Sequence, residues 1–67
     1  MTLPDTITTE EVQDLEFVRI ADDISHKWAE WEVRFTYEGH ACEGFVGACP
    51  RYPNLMHDDN ITNCILA

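Results

Sequence analysis

The residues best suited to chemistry in this 67-residue chain lie in its C-terminal half: His40, Cys42, Cys49, His57 and Cys64. Zinc prefers cysteine and histidine in a tetrahedral set. The spacing suits it poorly. Structural zinc sites draw on close pairs such as C-x-x-C, whereas the nearest pair here is His40-x-Cys42, and Cys42 and Cys49 stand seven positions apart. The metal-free reading treats the three thiols as small buried hydrophobes. Nucleophilic catalysis would need a thiol with a base and an orienting group, and Cys42 with His40 or His57 is the local candidate. On a strand, the i, i+2 spacing puts His40 and Cys42 on one face, yet 67 residues leave little material for a pocket and an oxyanion hole. The chain is therefore read as non-enzymatic, with no cofactor and no metal.

The carboxylates are more informative. Thirteen acidic residues against four basic ones give a net charge of −9 with neutral histidines, and the sequence pI is near 4.3. Phosphate contacts need Lys and Arg, so direct binding to DNA, RNA or an anionic membrane is not expected. The expected partner is itself basic, such as a nucleic-acid-binding protein or complex. Residues 1–38 hold ten acidic and three basic side chains, which leaves only −2 for residues 39–67. Glu30, Glu32 and Glu38 share one parity of a predicted strand. Glu30 and Glu32 would then project from one face about 6.6 Å apart, two strand rises, similar to the pitch of a phosphate backbone. Asp22 and Asp23 at the adjacent turn extend that surface, as would Glu10, Glu11, Asp14 and Glu16. The competing explanation is solubility, since a high net charge keeps a small protein dissolved and monomeric.

These groups need elements to position them. Thr8 followed by Glu11 has the form of a capping box, and Glu10 favours a positive helix end, so a short helix is predicted there with Val12 and Leu15 inward. The run Phe17-Val18-Arg19-Ile20 is aromatic and β-branched and predicts a strand, although a helix continuing to about Ala21 also fits the periodicity. Over residues 31–38, Trp31, Val33, Phe35 and Tyr37 alternate with Glu32, Arg34, Thr36 and Glu38, the signature of a half-buried strand. Asp22, Asp23 and Ser25 supply turn chemistry before it, and Glu38-Gly39-His40 after it. A returning strand is expected at about residues 41–48, where Gly44 and Gly47 suggest a bulge or close packing by a neighbouring aromatic. Pro50 and Pro53 bracket an irregular segment, after which Asp58 or Asp59 could cap a last helical turn through Ile61, Ile65 and Leu66. The expected fold class is α+β: one domain over residues 1–67, with a short N-terminal helix, a three-stranded antiparallel meander and a C-terminal helical turn. Its core would be Val12, Leu15, Phe17, Trp31, Val33, Phe35, Tyr37, Phe45 and Ile61.

The N-terminal stretch lacks the basic start and apolar run of a signal peptide, and no run approaches membrane-spanning length. Three cysteines make an odd count, whereas small secreted scaffolds usually carry an even set. Reduced thiols and a cytoplasmic protein are expected. The last four residues, Cys64-Ile65-Leu66-Ala67, fit a C-a-a-X prenylation pattern, but no polybasic stretch precedes them. Asn60-Ile61-Thr62 matches a glycosylation sequon, which has no meaning without secretion.

In size, acidity and absence of catalytic motifs, the chain resembles the small DNA-mimicking inhibitors that phages use against host defence, including anti-CRISPR and anti-restriction proteins. That resemblance implies a protein of the host-cell cytoplasm that occupies a basic DNA-binding groove and competes with the target nucleic acid. Glu30, Glu32, Glu38, Asp22 and Asp23 are the expected contacts, read from their charge and position. The alternative is a small adaptor or structural module, zinc-stabilised or not, that presents Trp28, Tyr52, Leu55 and Met56 to a partner protein.

Overall fold

A computed structural model of the chain describes residues 2–22 and 27–67, with the backbone alone at residue 22. Thr8 is extended (φ −78°, ψ 150°) ahead of a single 3₁₀ turn, Thr9–Glu11, and its hydroxyl donates to the Glu11 carboxylate, with Oγ1 and Oε1 2.9 Å apart. The turn goes no further because Val12 is already extended (φ −110°, ψ 162°). The predicted N-terminal helix is thus one 3₁₀ turn, and the predicted C-terminal helical turn is a strand. The fold is antiparallel β throughout rather than α+β. Its strands are β1 (Thr6–Thr8), β2 (Gln13–Asp22), β3 (Ala29–Tyr37), β4 (His40–Cys49), β5 (Tyr52–Met56) and β6 (Asn60–Leu66).

A bulge lies in each segment, although Ile65 and Leu66, on which the C-terminal helical turn was expected, are exposed. Asp14 (φ 55°) and Asn63 (φ 53°) take left-handed backbone, and each lies where an extra residue shifts the strand register. A bulge of this kind turns the strand period of two into a local step of three. Val12 and Leu15 therefore both reach the core from β2 and its approach, as Ile61 and Cys64 do from β6. In the sequence such a step is indistinguishable from the i, i+3 face of a helix. Asp58, predicted as a helix cap, instead accepts the Asn60 N–H on Oδ1 (3.0 Å) at the start of β6.

The sheet runs in the order β1-β6-β4-β3-β2, with β5 also paired to β4. β2, β3 and β4 form an antiparallel meander, and Glu38 and Gly39, both at positive φ, make the two-residue turn between Tyr37 and His40. β1 and β2 are opposite edges joined by only residues 9–12. A flat sheet of five strands would hold its edges about 19 Å apart at ~4.8 Å per strand, whereas a connection containing a 3₁₀ turn reaches about 13 Å. The sheet must therefore roll, and three bulges in β2 supply the bend. Rolling encloses one face, where Ile7, Val33, Phe35, Cys42, Val46 and Ile61 form the core.

Of the expected core, Val33, Phe35 and Ile61 are fully inside, and Val12, Leu15, Phe17, Trp31 and Tyr37 pack against them. Phe17 meets Trp31 edge-on at 5.8 Å between ring centroids. Phe45 is the exception. On β4 the buried positions are Cys42, Gly44, Val46 and Ala48, so Phe45 falls on the outer face, half-buried and opposite Glu32. Gly44 lies inside because Ile61 and Cys64, not an aromatic, cover it: a Cβ there would stand 2.7 Å from Ile61 Cγ2 and 2.9 Å from the Thr62 carbonyl oxygen.

Candidate functional site

No charged residue is buried among the described residues. The outer face carries its charges in cross-strand rows fixed by the register. One row runs Glu16, Arg34, Glu43; the next runs Arg19, Glu32, Phe45, Thr62; the last pairs Glu30 with Gly47. Arg19 Nε donates to Glu32 Oε2 at 3.2 Å, so one of the two strand carboxylates expected to face a partner is already engaged. Glu38 sits in the turn at the far end of β3. Eight residues separate it from Glu30, roughly 26 Å at ~3.3 Å per residue, so these carboxylates do not form one patch. Asp22 lies opposite Glu30 in the register, and Asp23 is outside the described residues.

The molecule is 36 Å long and 16 Å across, and acidic groups occur at both ends of β3 as well as along its outer face. Around the β3–β4 turn, Glu11 and Glu38 both act on Tyr37, whose phenol is held above its ordinary value by burial and then by these two charges. At the other end β4 leaves β6 and takes up β5, and residues 57–59 bridge the split. Their backbone is pinned on both sides: His57 N–H donates to the Gly47 carbonyl at 2.9 Å, and Thr9 N–H donates to the Asp59 carbonyl at 2.8 Å. An open cleft of about 420 Å³ lies there, lined by Trp28, Ala29, Glu30, Gly47, His57 and Asp58. The Trp28 indole, 53% exposed, packs against the His57 ring at 3.9 Å between centroids.

No protein family, curated protein or solved structure matches this chain. The functional reading rests on its own residues.

The thiol and imidazole candidates are dispersed. Cys42 is buried, Cys49 and Cys64 are half-buried, and all three are free. Cys42 Sγ contacts the backbone carbonyl of His40 (3.4 Å), not its ring. Burial pushes the Cys42 and Cys64 thiols up, which disfavours the thiolate a nucleophile needs. Among the described residues no three His, Cys, Asp or Glu are grouped to hold a metal, and no helix is long and apolar enough to cross a membrane. Of the surface aromatics and aliphatics expected for protein contact, Trp28, Tyr52 and Leu55 are exposed, whereas Met56 packs on the core.

Sequence reasoning missed His57 and Asp58 as neighbours of Glu30 in one cleft. It assigned Asp58 to a helix cap, and only the split between β5 and β6 brings it to the cleft beside β3. Gly47 was the available signal, since a residue without a side chain leaves open the space that the cleft occupies.

Proposed function

We propose that this chain is a non-enzymatic binding protein that occupies the basic, nucleic-acid-binding surface of a partner, with carboxylates standing where phosphates otherwise lie. The observation that carries this reading is a net charge of −9 on 67 residues with no charged group drawn into the core among the described residues. Carboxylates held on a rigid sheet keep their geometry when they meet Lys and Arg, so little ordering entropy is lost on binding. The contact centres on Glu30, with Asp58 across the cleft and Asp22 opposite Glu30 in the strand register, and Asp23 is included for its charge alone. The paired Glu32 and the remote Glu38 contribute long-range attraction. In the resemblance to phage inhibitors of host defence, the partner is a nuclease or surveillance complex and the effect is inhibition by competition.

A second reading has its own support: Tyr52 and Leu55, 58% and 55% exposed, give β5 an apolar outer surface suited to an adaptor. The two readings rank variants in opposite order. A partner captured from lysate and purified is measured against the wild type, Glu30→Lys/Glu32→Lys, and Tyr52→Ala/Leu55→Ala, at low and physiological salt and with duplex DNA as competitor. The expected result is displacement by DNA and a loss of about tenfold or more for the charge reversal, mainly through slower association. Binding that ignores salt, tolerates the reversal and persists beside bound DNA would overturn mimicry in favour of the adaptor.

A further inference from the structure

We infer that the cleft at the β5–β6 split is a receptor for a single arginine side chain of the partner. The inference rests on the reading of this protein as a binder of basic surfaces, and it names the group that is bound. Three features of the cleft point to a guanidinium.

The first is charge: Glu30 and Asp58 line the cleft, and neither Lys nor Arg does. The second is shape. The Trp28 indole offers an exposed aromatic surface on which a planar cation stacks, and the His57 ring packed 3.9 Å away holds the indole in place. The third is rigidity. His57 is tied to Gly47 through its backbone N–H, Asp58 Oδ1 accepts the Asn60 N–H, and the next carbonyl, of Asp59, accepts the Thr9 N–H, so the segment that carries Asp58 is set before a ligand arrives. A guanidinium suits this geometry better than an ammonium: its flat face lies on an indole while its fork of N–H donors addresses carboxylates in the same plane. Gly47 also lines the cleft, and its missing side chain leaves space there that a Cβ would take beside Asp58.

The probe is a blocked tripeptide, acetyl-Gly-Arg-Gly-amide, titrated into the ¹⁵N-labelled full chain at low salt, with the lysine and citrulline tripeptides in parallel. The indole N–H of Trp28 and the amides of Glu30, Gly47 and Asp58 should shift with the arginine peptide, less with lysine, and not with the uncharged citrulline. Trp28→Ala and Glu30→Gln/Asp58→Asn should each weaken that response at least fivefold while leaving the remaining amide spectrum folded, since Trp28 is largely outside the core. Shifts spread evenly over all acidic positions, or equal for lysine and citrulline, would overturn the receptor. Trp28→Ala is also measured against the purified partner. If DNA still displaces the partner but Trp28→Ala binds as wild type, the cleft assignment fails and the mimicry reading stands. If the arginine peptide binds as expected while DNA and partner bind together, the mimicry reading fails and the cleft remains a cation receptor.

Discussion

At the scale of single residues, the thiols matter for stability rather than for catalysis. Cys42 and Cys64 face the enclosed side of the sheet, and burial favours their neutral form, raising both above the ordinary 9.0. Tyr37 is raised above 10.0, first by burial and then by Glu38 and Glu11. In each case the unfolded chain ionises before the folded one. As pH climbs through 9, the unfolded state therefore sheds protons that the folded state keeps, and stability falls until the folded groups ionise in turn. The denaturant midpoint should hold steady around neutrality and decline from about pH 9 upward. Replacing both cysteines by alanine should remove the part of the decline that begins near 9 and leave the tyrosine part above it. A midpoint indifferent to pH up to 10 would mean that these groups are as solvated folded as unfolded. Little of this was readable in the sequence. The odd cysteine count and the alternation around Tyr37 indicated reduced, inward thiols and a half-buried ring, but the burial of Cys42 depends on a register that no local pattern specifies.

At the scale of elements, β4 and β6 approach closely at Gly44, and the two glycines of β4 make a comparison. A Cβ on Gly44 would meet Ile61 Cγ2 at 2.7 Å and the Thr62 carbonyl oxygen at 2.9 Å, and the latter is backbone that cannot turn aside. Gly44→Ala must push β6 off β4, at about 1–3 kcal/mol, typical of overpacking. Gly47 has only Asp58 Cβ at 3.7 Å, an ordinary contact, and does not take positive φ. Gly47→Ala should therefore be neutral or stabilise by up to about 1 kcal/mol through a less flexible unfolded chain. Urea melts of the two variants give the comparison; equal effects would mean that β4 and β6 are less closely packed than described. The sequence showed that β4 carried glycines for a reason. It failed at the N-terminal helix because the bulge at Asp14 copies helical spacing, and at the C-terminal turn because Asp58 looked like a cap, while β3, free of bulges, was read almost to its ends. Thr8 and Glu11 meet side chain to side chain and make no cap hydrogen bond to the backbone, and the extended Val12 stops the helix after one turn.

At the scale of the whole molecule, the rolled sheet divides labour between its faces: the inner one holds the fold together and the outer one carries charge. This division was legible from the alternation of residues 31–37, whereas the closure that joins β1 to β2 was not, because it is set by strand order and not by any segment. The expectation of a single acidic face also needs the rows to be judged, since Arg19 and Arg34 interrupt it. That arrangement yields a prediction in which stability and binding separate. Arg19 and Glu32 form a pair whose side chains are 72% and 21% exposed, and such pairs contribute about 0–1 kcal/mol. Arg19→Gln should therefore hardly move the unfolding midpoint. It frees the Glu32 carboxylate, however, and takes the net charge from −9 to −10. If long-range attraction to a basic surface drives encounter, the association rate with the purified partner should rise at low salt, and the gain should vanish at high salt, where screening shortens the reach of every charge. Glu30→Lys should change the rate in the opposite direction with the same salt dependence. Stopped-flow or surface-binding kinetics at several ionic strengths would decide the matter. A rate that does not respond to either substitution at low salt would mean that the acidity serves solubility, and that the partner is recognised by the apolar surface of β5.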